Sequence, residues 1–254
     1  MKYISFDRVA NVYDYSRRVP QELVESMRNS IHKFLHNKFS DPVFRILSVG
    51  IGTGRVESSL SLKNIDLFGL DISQLMLEEL RKKTITYQPF IAVADANFIP
   101  FRKFFHLTIL IHLINLVPNY KQVLDEILDI SETIVIGEVF GDLYSNPIYI
   151  NYMEIIQNLG WQKGTRGATR DDYITYLLEK GYTVKTETDE VDVKYKNLEV
   201  YDTIKNQSPS NLWNVPKNLH LKAMNKLNSE LKTKGINLDD QITAKSYLYL
   251  NYFS

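Results

Sequence analysis

The sequence predicts an α/β fold in which a seven-stranded, mostly parallel sheet carries helices on both faces and its last strand runs antiparallel. Three observations predict this fold. Short apolar runs alternate with segments of helical periodicity through residue 139, a glycine-rich turn follows the first apolar run, and two β-rich runs come late in the chain. Strands that alternate with helices at this spacing are joined by right-handed crossovers and pair in parallel.

The first predicted helix covers Gln21 to Phe39, where apolar residues recur at helical spacing. Pro20 is tolerated in a first helical turn, and Asp41-Pro42 breaks the pattern. Five buried strands are then expected at Phe44–Val49, Ile65–Leu70, Phe90–Ala94, Leu107–His112 and Thr133–Val139. The helices expected between them cover Val56–Leu62, Ser73–Lys83 and Tyr120–Ile130.

The C-terminal third has a different organisation. Helices are expected at 146–159, 170–180 and 216–234, and strands at 183–193 and 244–252. We predict one domain over residues 1–254. It consists of N-terminal cap helices in 1–40, a ligand-binding core in 41–139, and helical insertions at 140–181 and 196–240 that form a substrate lid.

Composition narrows the function. Thirty basic residues balance thirty acidic ones, whereas a protein that holds nucleic acid by its phosphates usually has a basic excess. The absence of cysteine excludes disulfides, thiolate nucleophiles and Cys-ligated zinc, and we predict no metal site. The first residues lack the apolar core of a signal peptide, and the longest apolar run, 107–117, is too short for a membrane span. These features predict a cytoplasmic protein without membrane partners.

A glycine loop is the sharpest local feature. Gly50, Gly52 and Gly54 follow the first predicted strand and precede a predicted helix. Glycines let the backbone turn tightly and approach a ligand closely, and a helix N-terminus adds a partial positive charge. The alternative interpretation is a plain tight turn, because a glycine-rich loop by itself is a weak signal.

Two acids follow the next two predicted strands. Asp71 ends the second strand, where a carboxylate can accept the hydroxyl hydrogens of a ribose. Asp95 ends the third, where a carboxylate or the adjacent backbone can meet an adenine amino group. Each acid could instead be a turn or helix-capping residue. Polar groups at three successive strand ends favour an adenosine-containing ligand.

The glycine spacing separates two classes of such ligand. Dinucleotide sites usually have G-x-G-x-x-G/A, but here the third glycine comes one residue early and Arg55 occupies the position of the small residue. The loop therefore favours a cofactor without phosphates. A dehydrogenase that uses a dinucleotide stays open as a rival.

The chain resembles the class I S-adenosylmethionine-dependent methyltransferases, which have a Rossmann-like fold, and most closely the ubiquinone/menaquinone biosynthesis (type 11) group. The resemblance extends from Phe6 to about Val139. Its motifs are ILSVGIGTG at 46–54, GLDISQLML at 69–77 and ADANFIPF at 94–101. It implies S-adenosylmethionine as the cofactor, S-adenosylhomocysteine as the product, and in-line methyl transfer to a small-molecule acceptor.

The resemblance also implies the residues that hold the cofactor. Gly50, Ile51, Gly52 and Gly54 line its methionine and ribose, and Asp71 binds the ribose hydroxyls. Ile72 and Met76 pack near the adenine, Asp95 and Ala96 meet its edge, and Ile111 and His112 pass beside the cofactor. In the segment 6–17, Tyr13 and Arg17 match positions that face the site; alternatively Tyr13 packs the N-terminal arm and Arg17 is solvated. The family often has acids where this chain has Ser48 and His106.

No catalytic residue is assigned, although His112 is a candidate general base because of its position at a strand end. A hydrogen-bonded histidine in the sheet core is the alternative. The Asn/Asp-Pro-Pro-Tyr/Phe signature of base and glutamine methylases is absent. Two further alternatives stay open: a cofactor-binding protein without catalysis, which Ser48 favours, and an RNA methyltransferase, which a basic patch at Lys163, Arg166 and Arg170 would support.

Overall fold

A computed structural model describes residues 5–16, 19–102, 105–141, 145–162 and 167–254 of the protein. Its sheet has seven strands in the order β3-β2-β1-β4-β5-β7-β6. The strands are β1 Phe44–Val49, β2 Ile65–Asp71, β3 Phe90–Val93, β4 Leu107–Ile111, β5 Ile134–Gly141, β6 Val184–Lys196 and β7 Gln241–Phe253. All seven coincide with predicted strands, and their ends differ by a few residues.

The strand pairing confirms the predicted fold class. β1 pairs in parallel with β2 and β4, β2 with β3, and β4 with β5. Thr183 and Ser254, at the ends of β6 and β7, exchange backbone hydrogen bonds in both directions (3.0 and 3.2 Å), which is an antiparallel pairing. The strand order reverses between β1 and β4, and ligands of open α/β sheets bind outside the carboxyl ends of the strands at such a point.

The core of the sheet explains why the first strand is a continuous apolar run. Ile46, Leu47 and Val49 are fully buried, as expected for a parallel strand that is covered on both faces. The helices in this part of the chain are α1 Tyr13–Ser16, α2 Gln21–Lys38, α3 Gln74–Lys82 and α4 Tyr120–Leu128. The fully buried residues of α2 recur at four-residue spacing, so one face of this helix enters the core.

The helix predicted at Val56–Leu62 is wrong. Only a single 3-10 turn, Glu57–Leu60, forms after the glycine loop. The serine hydroxyls of this segment bind nearby carbonyl oxygens: Ser58 Oγ donates to Gly54 at 2.5 Å and Ser59 Oγ to Val56 at 2.8 Å. Such local bonds compete with regular helix geometry. The glycine loop therefore does not precede a long helix whose N-terminus would add the expected partial positive charge.

The chain divides into two compact units. Unit 1 is Met1–Val139, Arg166–Asp189 and Tyr247–Ser254, and unit 2 is Phe140–Thr165 and Glu190–Ser246. Helix α6, Arg170–Glu179, buries Tyr173 and Leu177 in the core of unit 1. It is therefore a helix of the sheet-containing unit, although the sequence places it in the insertion 140–181.

Among its described residues, unit 2 contains three α-helices: α5 Pro147–Asn158, α7 Asn197–Lys205 and α8 Lys217–Thr233. They share a core that includes Tyr152, Ile156, Val200, Ile204 and Leu227. Helix α7 is not predicted as a separate helix, because it follows a long β-strand without a Gly or Pro break. The role of this unit as a substrate lid stays a prediction. Within the described residues, no helix has both the length and the apolar character that crossing a bilayer requires.

Candidate functional site

The glycine loop lies at the carboxyl end of β1 and has the backbone that its sequence predicts. Gly50, Gly52 and Gly54 all have positive φ (75°, 55° and 62°), a conformation that side chains with a Cβ adopt only with strain. Packing adds a second constraint. A Cβ on Gly50 would lie 2.9 Å from Leu113, and one on Gly52 would lie 3.1 Å from the methyl group of Met76. The turn therefore requires glycine, and a methyl group at either position would also force the Leu113 or Met76 side chain to shift.

Asp71 connects the end of β2 to this loop. Its Oδ2 accepts the N–H of Gly52 at 2.9 Å, and its Oδ1 accepts the N–H of Ser73 at 2.8 Å. Burial raises the pKa of the Asp71 carboxyl, and the two amide hydrogen bonds oppose that rise. A carboxylate oxygen has two lone pairs, so each oxygen can still accept a hydroxyl hydrogen. Ser73, and not Asp71, caps α3, because its Oγ accepts the N–H of Met76 at 3.1 Å.

Asp95 lies beside Asp71 at the next strand end. The N–H of Ala94 donates to the carbonyl oxygen of Asp71 at 3.0 Å, which holds the two strand ends together. The Asp95 Oδ1 accepts both the backbone N–H and the side-chain amide of Asn97, at 2.9 and 2.8 Å. Asp95 therefore forms the turn that the alternative interpretation expects, and its Oδ2 makes none of these bonds.

The apolar residues named by the resemblance have different positions. Ile51 is buried, and its side chain packs against Gly69 of β2. Within the glycine loop it therefore contributes its backbone and not its side chain. Met76 is buried beside Gly52, whereas Ile72 is 39% exposed. Ile111, at the end of β4, is buried.

His112 is held by β5. The residue has a positive φ of 58°, its N–H donates to the carbonyl oxygen of Gly137 at 3.0 Å, and its ring Nε2 accepts the N–H of Val139 at 3.2 Å. An Nε2 that accepts this bond places the ring proton on Nδ1. The imidazole therefore does not offer Nε2 as a base while the bond is present, which agrees with the alternative of a hydrogen-bonded histidine.

The N-terminal segment, residues 5–16, contacts the elements that carry the loop and the acids. Ser73 Oγ donates to Asp7 at 2.5 Å, and this hydrogen bond lowers the pKa of Asp7. The guanidinium of Arg55 lies 5.3 Å from the ring centre of Tyr13, within cation–π distance. Arg17, the other residue expected here, lies outside the described residues.

Two buried polar residues flank the glycine loop in the sequence. Ser48 is fully buried in β1, and its hydroxyl has no hydrogen-bond partner among the described residues. Glu57, which the sequence analysis did not single out, is only 4% exposed. Burial raises the pKa of the Glu57 carboxyl to about 7, although the charges of Arg55 and Lys83 oppose the rise. The sequence signal for a buried acid here is the position of Glu57 between Val56 and Leu60, two apolar residues that are both buried.

Comparison with known proteins places this site in context. Residues 47–132, about one third of the chain, match the family described as Methyltransferase domain. The matched segment contains the glycine loop, Asp71, Asp95 and His112. No curated protein matches the sequence significantly.

Solved structures share the fold. A SAM-dependent methyltransferase from Geobacter sulfurreducens, in complex with S-adenosyl-L-homocysteine, is 12% identical with a TM-score of 0.53 and covers 99% of both chains. YjhP from E. coli is 13% identical with a TM-score of 0.54, over 96% of this chain and 98% of its own. YcgJ from Bacillus subtilis is 12% identical with a TM-score of 0.54, over 89% and 97%. The segment that carries the candidate site thus matches methyltransferase domains, and the whole fold is one that a solved methyltransferase shares.

Proposed function

We propose that the protein is an S-adenosylmethionine-dependent methyltransferase that acts on a small-molecule acceptor and releases S-adenosylhomocysteine. One observation carries the proposal: the Asp71 carboxylate is bonded to the glycine loop at Gly52, and Asp95 lies at the adjacent strand end. This arrangement stands at the carboxyl edge of the sheet, where the strand order reverses. The match to methyltransferase domains over residues 47–132 supports it independently.

The described residues fit the cofactor's parts. Gly52 is buried with positive φ, and it places no side chain between the loop backbone and the methionine portion. Asp71 keeps acceptor capacity for the ribose hydroxyls, and Met76 and Ile72 supply apolar contact for the adenine. Asp95 and Ala96 are proposed to meet the adenine edge, while Ile111, His112 and Tyr13 complete the surroundings.

The main task of the chain is to bring two reactants together, since the sulfonium already carries a good leaving group. When bound, S-adenosylmethionine would supply a sulfonium methyl group to a nucleophile that attacks in line, with S-adenosylhomocysteine as the leaving group. The residues of the site bind and orient the two reactants and exclude water, which are recognised sources of rate enhancement. His112 orients the end of β4 against β5 through Val139, and no base is assigned.

Binding without catalysis is a second candidate. The family often has an acid at position 48, and the buried Ser48 hydroxyl supplies no charge for the cofactor's amino group. The RNA methyltransferase alternative gains no support, because Arg170 donates to Thr186 and Asn251 in unit 1. Lys163 and Arg166, the other members of the expected basic patch, lie outside the described residues.

Calorimetric titration tests the cofactor. We expect the protein to bind S-adenosylmethionine and S-adenosylhomocysteine but not NADH. Asp71→Ala should weaken binding at least tenfold, because it removes a buried charged acceptor. Asp66→Ala is the matched control, since Asp66 lies on the same strand with an exposed side chain. A folded protein that binds neither adenosine compound would refute the proposal.

A second assay tests the reaction. Incubation with S-adenosylmethionine labelled on its methyl group should transfer label to a low-mass fraction of a metabolite extract. Tight binding without transfer to any fraction would favour the non-catalytic candidate. Transfer to RNA, abolished steeply by added salt, would favour the RNA methyltransferase.

A further inference from the structure

One carboxylate connects the N-terminal segment to two elements of the candidate site. Asp14, in α1, accepts a hydrogen bond from Thr53 Oγ1 with its Oδ1, at 2.5 Å. Its Oδ2 forms an ion pair with Lys83 Nζ, also at 2.5 Å. Thr53 stands between Gly52 and Gly54, and Lys83 follows the last residue of α3. Asp14 therefore joins α1, the glycine loop and the end of α3.

The partner in the loop is a buried hydroxyl. Thr53 is 2% exposed, and both of its neighbours have left-handed backbone, so the direction of its side chain is fixed by the turn. A hydrogen bond from a hydroxyl to a carboxylate is stronger than one between neutral groups. Asp14 and Lys83 retain partial exposure of 39% and 29%, so water can reach this ion pair when the segment moves.

The segment depends on such contacts for its position. Helix α1 has four residues, far fewer than an isolated helix needs for stability in water. The segment is also anchored to the site by Asp7 at Ser73, and by Tyr13 of α1 at Arg55. Asp14 makes the contact that reaches the glycine loop itself.

We propose that Asp14 is a positioning residue that latches the N-terminal segment onto the glycine loop, and that opening of this latch controls cofactor exchange. The inference rests on the proposed function, because it assigns the loop to the cofactor. With the latch closed, Thr53 holds the loop in its binding conformation and residues 5–16 stay against it. With the latch open, the loop is released and the cofactor can leave.

Stopped-flow dissociation of S-adenosylhomocysteine tests the latch. Asp14→Ala removes the charge-assisted hydrogen bond and the ion pair, and we expect dissociation to become roughly tenfold faster. Lys83→Gln removes only the partly exposed ion pair and should change the rate by less than about fivefold. Asp14→Glu keeps the charge and should restore part of the slow dissociation. Asp129→Asn, which changes an exposed aspartate after α4, should match the wild-type protein.

Hydrogen exchange of the ligand-free protein separates the latch from the function. Asp14→Ala should raise exchange in peptides covering residues 5–16 and the glycine loop, with little change in β4 and β5. Faster dissociation without this local change would mean that Asp14 acts otherwise and would overturn the latch. Unchanged dissociation in Asp14→Ala would also overturn it. If the wild-type protein binds neither adenosine compound, the proposed function itself is refuted, and with it the control of cofactor exchange.

Discussion

Replacing Glu57 by glutamine should change how the stability of unit 1 depends on pH. Burial raises the pKa of this carboxyl from its ordinary 4.5 to about 7. A raised pKa means that the folded state keeps a proton that the unfolded state releases between these two values. The contribution of the Glu57 carboxyl to the stability of unit 1 is therefore fully present below pH 4.5 and is lost as the pH rises toward 7. At about 1.36 kcal/mol per pH unit, the loss reaches about 3 kcal/mol and then stays constant.

Glu57→Gln keeps the shape of the side chain but cannot ionise. We expect the variant and the wild-type protein to respond alike below pH 4.5. Above it the variant should gain up to about 3 kcal/mol relative to the wild-type protein, with the gain complete near pH 8. Glu132→Gln, a change in an exposed glutamate of the same unit, should show no such gain.

The assay must report on unit 1. The two tryptophans of the chain, Trp161 and Trp213, both lie in unit 2, so their fluorescence does not follow the unfolding of the sheet core. Urea unfolding should instead be followed by hydrogen exchange in β1 peptides, at pH values from 4.5 to 8.5. Parallel pH dependences for Glu57→Gln and the wild-type protein would refute the argument that burial keeps this carboxyl protonated.

Three further substitutions test the loop, the strand end and β1. Gly52→Ala should weaken cofactor binding at least tenfold, as measured by calorimetry. The alanine adds a left-handed backbone strain of about 1–2 kcal/mol and a crowded methyl group. Gly160→Ala is the control for backbone strain alone, because Gly160 has φ 90° but open space around it. His112→Asn should preserve the fold, since asparagine tolerates positive φ. It should lower the free energy of unfolding by about 1 kcal/mol, because the hydrogen bond to Val139 is lost. A hundredfold loss of methyl transfer at unchanged cofactor affinity would instead identify His112 as a base. Ser48→Asp should destabilise the free protein by burying an unpaired charge, and S-adenosylmethionine should raise its melting temperature more than that of the wild-type protein. Equal ligand shifts would show that position 48 does not face the cofactor's amino group.

The strands were predictable because their signal is local. β1 begins and ends at the predicted residues, since a continuous apolar run is bounded by Pro42 on one side and by the glycine loop on the other. Helix α7 and the turn at Glu57–Leu60 were not predicted correctly. In the first case, the helix begins at Asn197 directly after a strand that ends at Lys196, so no break in the sequence marks its start. In the second, the backbone closes through i→i−3 bonds from Ser59 to Val56 and from Ser61 to Ser58, and serine hydroxyls add local bonds to carbonyl oxygens.

The residues of the site were predictable only where the sheet topology determines which positions in the sequence lie close together in space. Carboxyl ends of adjacent parallel strands meet at one edge, so Asp71 and Asp95 had to be neighbours, and the bond between Ala94 and the Asp71 carbonyl shows how closely. The state of each side chain follows from contacts between residues far apart in the chain. Asp14 reaches Thr53 across 39 positions, and the His112 ring reaches Val139 across 27. The position of a residue at a strand end therefore determines whether it can meet a ligand. Long-range hydrogen bonds determine which of its lone pairs are still available. His112 lies at a strand end, but its Nε2 lone pair already accepts the N–H of Val139.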